Sequence, residues 1–236
     1  MKKIVTIHQP ETFPWLGFFN KMMLCDEYIL LDDVQFRKNY FQNRNQFLTK
    51  QGPIYLTVPV DFKNYKLIKD IKIKYNEKWQ QKHLNTIKQN YSKSPYFNQH
   101  INFFELFYAK KYELLIDFNI EIINYIREVL GINVPIKRLS EMGTFNTSSS
   151  DLLLEICKSS NATVYLSGRD GKNYLDETIF KDENIDVVYH SFEHPIYNQF
   201  NSNEFVPYIS TFDLLFNYDR EEAKNIIING GRFCES

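Results

Sequence analysis

Five groups of residues in this chain have side chains suited to chemistry. The first is His8-Gln9-Pro10, followed by Pro14-Trp15-Leu16-Gly17. A histidine between a strand and a helix can act as a base or contact a phosphate at the helix N-terminus, where free N–H groups and the dipole attract anions. The second is Asp32-Asp33-Val34-Gln35, where a carboxylate could orient a sugar hydroxyl, an amine or a metal ion. The third is Asn43-Arg44-Asn45-Gln46, behind Arg37 and Lys38. Its amides and guanidinium suit phosphate and sugar recognition, or single-stranded RNA with Tyr40, Phe41 and Phe47 as stacking platforms. The fourth is Ser167-Gly168-Arg169-Asp170-Gly171-Lys172, a small-residue loop able to cradle an anion but without P-loop spacing. The fifth runs from His190 through Glu193-His194-Pro195 to Tyr197 and Gln199, with His194 as an acid/base candidate. His190 and His194 would share a face only on a helix, which Pro195 and the preceding strand-like run oppose.

These groups need elements to position them. Residues 3–7 form a β-branched run and Glu27 to Leu31 a second apolar run, with helical spacing at Trp15, Phe18, Phe19, Met22 and Met23 between them. Strand, loop, helix and strand in about 30 residues match a βαβ unit. Its loop lies at the strand's carboxyl end, where open α/β sheets bind ligands. Residues 34–52 read as a polar, locally basic stretch. Residues 54–60 read as an edge strand because of Pro59, and 67–75 as a half-exposed strand. The middle third is helical. Trp79, His83, Ile87 and Tyr91 share one face, and Phe97, Ile101, Phe104 and Tyr108 another. A third stripe runs from Leu115 through Phe118, Ile122, Tyr125, Ile126 and Val129 to a stop at Gly131. Ser148 and Asp151 suggest a capping box before a further helix. Strands are expected at 162–166 and 185–189, and a last helix at 220–228.

Composition limits the function classes. The chain has 236 residues, 28 Lys plus Arg against 29 Asp plus Glu, and a net charge of -1, which argues against a global nucleic-acid field. Its 43% hydrophobic content argues against global disorder. The three cysteines (Cys25, Cys157, Cys234) form no CxxC, so neither a zinc ribbon nor a disulfide framework is expected. No apolar run reaches the ~20 residues of a membrane span, and His8, Gln9 and Pro10 interrupt the only N-terminal run. A cytoplasmic protein with no membrane insertion is expected.

Taken together, the motifs resemble the WbqC-like protein family. The resemblance rests on His8-Gln9-Pro10 with Phe13-Pro14-Trp15-Leu16-Gly17-Phe18-Phe19, on Leu31-Asp32-Asp33-Val34-Gln35-Phe36, on Asn43-Arg44-Asn45 and on Leu56-Thr57-Val58-Pro59-Val60. It continues through Ser167-Gly168, Tyr174-Leu175-Asp176, His194-Pro195, Tyr197, Gln199 and Ser210 to Asn217. One departure is Arg169-Asp170-Gly171-Lys172, where a more glycine-rich loop is expected.

The family is similar to proteins encoded among enzymes of O-antigen and other surface-polysaccharide synthesis. The resemblance therefore implies an enzyme acting on a nucleotide-linked amino sugar, with an acyl or aminoacyl donor. No tightly bound cofactor is expected, and nucleic acid would enter only as a charged tRNA donor. The expected fold is α/β: one domain over 1–236, a mostly parallel sheet of Rossmann-like type flanked by helices, and a helical block at about 77–130. His8, Asp32 and His194 are the catalytic candidates. The substrate-binding candidates are Gln9, Gln35, Asn43, Arg44, Ser167, Gly168, Tyr174, Asp176, Tyr197 and Gln199. Two other readings stay open: a non-catalytic sugar-nucleotide or RNA binding protein, and a metal-dependent hydrolase with His8, Asp32 and His194 around one point. His8, Asp32, Asn43, Arg44, Ser167 and His194 are expected to approach one concave site; their convergence would favour the enzyme reading, and their dispersal on the surface the binding protein.

Overall fold

The computed structural model describes residues 2–62 and 66–235. The chain opens with β1 (Ile4–His8), α1 (Leu16–Met23) and β2 (Glu27–Leu30). Two short hairpins follow, β3 (Arg44–Thr49) with β4 (Gly52–Thr57), and β5 (Val60–Asp61) with β6 (Lys72–Ile73). The helical insertion comprises α2 (Trp79–Tyr91), α3 (Phe97–Ala109) and α4 (Leu115–Leu130). The second α/β half runs β7 (Ile136–Arg138), α5 (Ser149–Ser159), β8 (Val164–Ser167), α6 (Glu177–Asp182), β9 (Asp186–Phe192), α7 (Thr211–Asn217), α8 (Arg220–Asn229) and β10 (Gly231–Glu235).

The central sheet has the order β10-β9-β8-β1-β2-β7. Neighbours from β9 to β7 are parallel, and β10 joins β9 antiparallel. The expected sheet is therefore present, with its four anticipated strands mutually parallel. It is mixed rather than uniformly Rossmann-like, because Gly230-Gly231 ends α8 and returns the chain along β9. The central strands β1, β2 and β8 are buried on both faces, as parallel strands are when helices cover each side. Val5, Ile7, Ile29 and Tyr165 pack beneath Leu152, Leu153, Ile156 and Phe180 of α5 and α6. Tyr28 and Leu30 face the larger core of α1, the helical insertion, α7 and α8.

The face read from spacing on α2 is the buried one, with Trp79, His83, Ile87 and Tyr91 all inward, while Ile101 of α3 and Tyr125 and Val129 of α4 are half-buried. α4 ends at Gly131 in the left-handed region, with φ of 63°. Other expectations change. Residues 34–52 contain the strand β3, because its inward-facing Asn45 satisfies its amide on the Phe13 carbonyl at 2.8 Å. Residues 54–60 divide at Val58-Pro59 into β4 and β5. Residues 67–75 form a single bridge from Leu67 to Gln35, a 3-10 turn at Ile68–Asp70 and the two-residue strand β6. Ser148 occupies the position preceding α5, yet its side chain makes no capping bond.

Several titratable groups are carried into this core. Burial pushes His83 and His100 down to about 4. Burial, with the charges of Lys21 and His8, pushes His190 down to about 3. Burial raises Asp213 to about 6 against bonds from Tyr91, Tyr197 and Gln199. An unfolded histidine titrates near ~6.5, so below that pH the unfolded chain binds protons that the folded chain refuses at these three sites, and burial lowers His194 in the same direction. Asp213 acts oppositely between about 4 and 6, where the folded chain holds the extra proton. The three histidines outnumber it. The unfolding free energy should therefore fall, by roughly 1 kcal/mol or more per pH unit, as pH drops from 6.5 to 4.5. Urea titrations at those pH values test this, and a flat or rising profile would contradict it.

Candidate functional site

Because β7, β2, β1, β8 and β9 are parallel, their carboxyl ends lie on one edge. The chain leaves that edge after Arg138, Leu30, His8, Ser167 and Phe192. From β1 the order runs through β2 to β7 on one side and through β8 to β9 on the other. The crevice at such a reversal is where open α/β sheets hold ligands. Here His8 ends one flanking strand and Ser167 the other.

His8 Nε2 lies 3.1 Å from Glu11 Oε1, and the imidazole packs edge-on against Phe18 with its side chain 29% exposed. Glu11 is buried, and its second oxygen has no partner among the described residues. The Tyr28 hydroxyl, also buried, has none either, and burial raises its pKa with the charge of Glu11 adding to the effect. Lys21, buried beneath the loop, donates to the Ile7 carbonyl at 3.2 Å, and burial lowers its pKa to about 8. A carboxylate on one imidazole nitrogen fixes the ring and its tautomer, and stabilises the cation formed when the other nitrogen takes a proton. Glu11 is a candidate that sequence reasoning missed; its signal was the three-residue spacing from His8 within a turn.

The loop carrying this pair is held in an unusual conformation. Phe13 is fully buried with φ of 51°, although it precedes a proline. A bulky residue seldom adopts that region, and such strain collects at functional loops. Thr211 N donates to the Pro14 carbonyl and Ser210 N to the Gln46 carbonyl, each at 2.9 Å, fixing the loop against β3 and α7.

The remaining candidates divide into three sets. On the edge itself, Ser167 is buried beside Gly171, where any Cβ would meet the Ser167 hydroxyl oxygen at 2.1 Å. Gly168 follows and leads into a 3-10 turn over Arg169–Asn173. His194 stacks on Trp15 at 6.3 Å, amid Phe192, Phe205 and Tyr208. Its Nδ1 lies 3.1 Å from the Pro195 carbonyl, its enclosed Nε2 has no partner, and burial lowers its pKa. Trp15 and Phe18 are one turn apart, so His8 and His194 both border the start of α1.

A second set is committed to internal bonds. Asp32 is fully buried. It accepts from Arg138 Nε at 2.9 Å, from the Ser140 amide at 2.9 Å and from the Ser140 hydroxyl at 2.7 Å. Asn43 donates to the Val58 carbonyl and accepts from the Asn39 amide. Tyr197 and Gln199 both donate to Asp213. Asp176 caps α6 through the Thr178 amide, and Gln9 accepts from Gln42. A third set, Gln35, Arg44 and Tyr174, lies toward the surface, with Arg44 stacked over Tyr55.

Of two cavities, the first lies at the far end of α1, and the second borders His194, which packs against its Tyr197 and Phe205. The first, of about 350 Å³, is lined by Asn20, Leu24, Ile132 and Lys224, and the second, of about 330 Å³, by Tyr197, Gln199 and Phe205. Among the described residues, no cluster of three or more His, Cys, Asp or Glu side chains is placed to hold a metal ion. Likewise no helix is long and apolar enough to cross a membrane.

Comparison with known proteins follows this geometry. The model of the WbqC-like protein family matches residues 9–225. The uncharacterized protein Rv1507c of Mycobacterium tuberculosis is 29% identical over 228 residues, spanning 94% of this chain and 96% of that protein. No solved structure matches.

The Asp32 contacts generate a direct expectation. Asp32→Ala would strand Arg138 and the Ser140 amide, and should destabilise the fold by about 2–4 kcal/mol. Asp32→Asn, which keeps an acceptor, should lose less. Denaturant midpoints of the two variants check this, and an Asp32→Ala protein as stable as the parent would show that the network contributes nothing.

Proposed function

Because the chain belongs to the WbqC-like protein family, we propose that it is an enzyme of surface-polysaccharide biosynthesis that acylates or aminoacylates the amine of a nucleotide-linked sugar. Family membership supports a general biosynthetic enzyme role. The observation that carries the finer reading is the His8–Glu11 pair at the end of β1, where the strand order reverses. The parallel order through five strands supports a Rossmann-like nucleotide site, with β10 as an added edge.

In the proposed reaction the sugar amine attacks the carbonyl carbon of an ester or thioester donor. A C–N bond forms, the C–O or C–S bond breaks, and the proton lost by nitrogen ends on the leaving oxygen or sulfur. With Nε2–H directed at Glu11, His8 offers Nδ1 as the base. Glu11 stabilises the imidazolium until the proton is passed on. The Ser167-Gly168 turn, flanking the same reversal of strand order, is the proposed seat of the diphosphate, with exposed Arg169 supplying charge. His194, at the rim, offers Nε2 to a substrate group that reaches it. A cytoplasmic location belongs to this reading, since charged nucleotide sugars do not cross a bilayer unaided.

A mass-spectrometric screen of nucleotide-linked amino sugars against acyl-thioester and aminoacyl donors tests the reaction, and His8 variants test the mechanism. His8→Ala should lower turnover by ~100-fold or more. It should also cost roughly 1–2 kcal/mol of stability, because buried Glu11 loses its partner. His8→Gln can still donate to Glu11, so it should recover most of the stability but none of the turnover. Full activity of His8→Gln on the true substrate would remove His8 from the chemistry. Retained ligand binding without turnover in the parent protein would instead favour a non-catalytic binding protein.

A further inference from the structure

The segment from Val34 to Val60 contains Arg37, Lys38, Arg44 and Lys50 and no acidic residue, in a chain that has 29 of them. The fold sets two of these cations, Arg37 and Arg44, beside exposed aromatic rings. The Arg37 guanidinium lies 4.9 Å from the Tyr40 ring centre, and that of Arg44 lies 4.2 Å from Tyr55. Tyr40 is 45% exposed and Tyr55 50%, while Lys38 and Lys50 are also exposed. Register places Gln46 opposite Tyr55 and Arg44 opposite Thr57, so these four residues share one face of the β3–β4 hairpin. The nearest carboxylates in sequence are paired: Asp33 with Lys69 at 2.7 Å and Asp61 with Lys74 at 3.4 Å.

Small ligands are bound in concavities that enclose most of their surface. These rings stand on open surface, and an arginine beside each supplies charge for a phosphate. That arrangement suits an extended strand whose bases stack while its phosphates meet cations. Asn39 and Gln46 add polar groups within reach of sugar hydroxyls. The surface also adjoins the His8 loop: the Phe41 carbonyl accepts from the Thr12 amide at 2.8 Å, and Gln42 donates to Gln9 at 2.7 Å.

We propose that the face formed by residues 37–40 and the β3–β4 hairpin binds a single-stranded segment of RNA. Only its purpose rests on the proposed acyl transfer, in which the RNA would carry the aminoacyl ester to His8. Phe47, a stacking candidate in the sequence, is buried and takes no part; Tyr55 replaces it.

The test is fluorescence anisotropy with an uncharged, labelled single-stranded RNA of about 12 nucleotides between 50 and 200 mM salt. Four cations at ~0.7 per phosphate give an expected log–log salt slope of about -3. Tyr40→Ala and Tyr55→Ala should each weaken binding about tenfold. Arg44→Gln should reduce the slope by ~0.7. Thermal melting of each variant confirms that it is folded. Absence of binding at 50 mM salt would overturn the proposal. So would binding that heparin abolishes and the folded tyrosine variants leave unchanged, which marks a site for polyanions or acidic proteins. Competition by a mononucleotide as strong as by the oligonucleotide would overturn it too. Sugar acylation from a thioester without RNA binding would remove this surface and leave the proposed function standing. RNA binding without acylation would remove that reading and leave the surface.

Discussion

A buried polar latch holds the β1–α1 loop in place, and the candidate site depends on it. The Thr12 hydroxyl oxygen lies 2.6 Å from Asn119 Oδ1 and 2.8 Å from the Gln42 carbonyl, and its single proton serves one at a time. Asn119 Nδ2 donates to the same carbonyl at 2.9 Å. All of this is sealed from water, so a missing partner would strand a desolvated polar group at a cost of about 1–3 kcal/mol. Three parts of the chain are thereby fixed to one another: the loop after β1, the segment before β3 and helix α4. The helical insertion is, in this sense, part of the site's scaffold. It supplies Asn119, and Phe118 against Phe13 holds the strained residue in its left-handed conformation.

The same constraint explains the packing at the start of α1. With Phe13 turned and Pro14 bonded to Thr211, Trp15 enters α1 with its indole lying over Gly17, where any Cβ would fall 2.2 Å from the ring. The indole then meets Phe192 edge-on and His194 face-on. One glycine thus sets the position of the residue that braces the end of β9. Burial, strain and close packing concentrate within eight residues of sequence, between His8 and Trp15.

Much of the architecture was legible because local patterns and tertiary packing agree. The β-branched runs became parallel strands, and the stripes on α2 and α4 became buried faces. The failures have a common cause. β3 was unreadable because Asn45 points inward on a polar strand, and an amide satisfied by a distant carbonyl looks like a surface amide. β7 is three residues long, too short for alternation to show. The antiparallel β10 follows a Gly-Gly pair that reads as a stop.

The candidate site repeats this lesson at the level of single charges. Asp32 reads as a free carboxylate at a strand end, yet its partners Arg138 and Ser140 stand 106 and 108 residues away in the chain. Glu11 reads as a solvated turn residue, yet it is buried against His8. The sequence exchanges the two because each is an acidic residue after a strand, and nothing local records what the fold brings opposite. Asp32 receives a guanidinium, an amide and a hydroxyl, which occupy its oxygens and make it a strut between β2 and β7. Glu11 receives only an imidazole, which leaves one oxygen unpartnered and one histidine nitrogen free. Of two similar carboxylates, the one with fewer partners is the one the proposed function draws on.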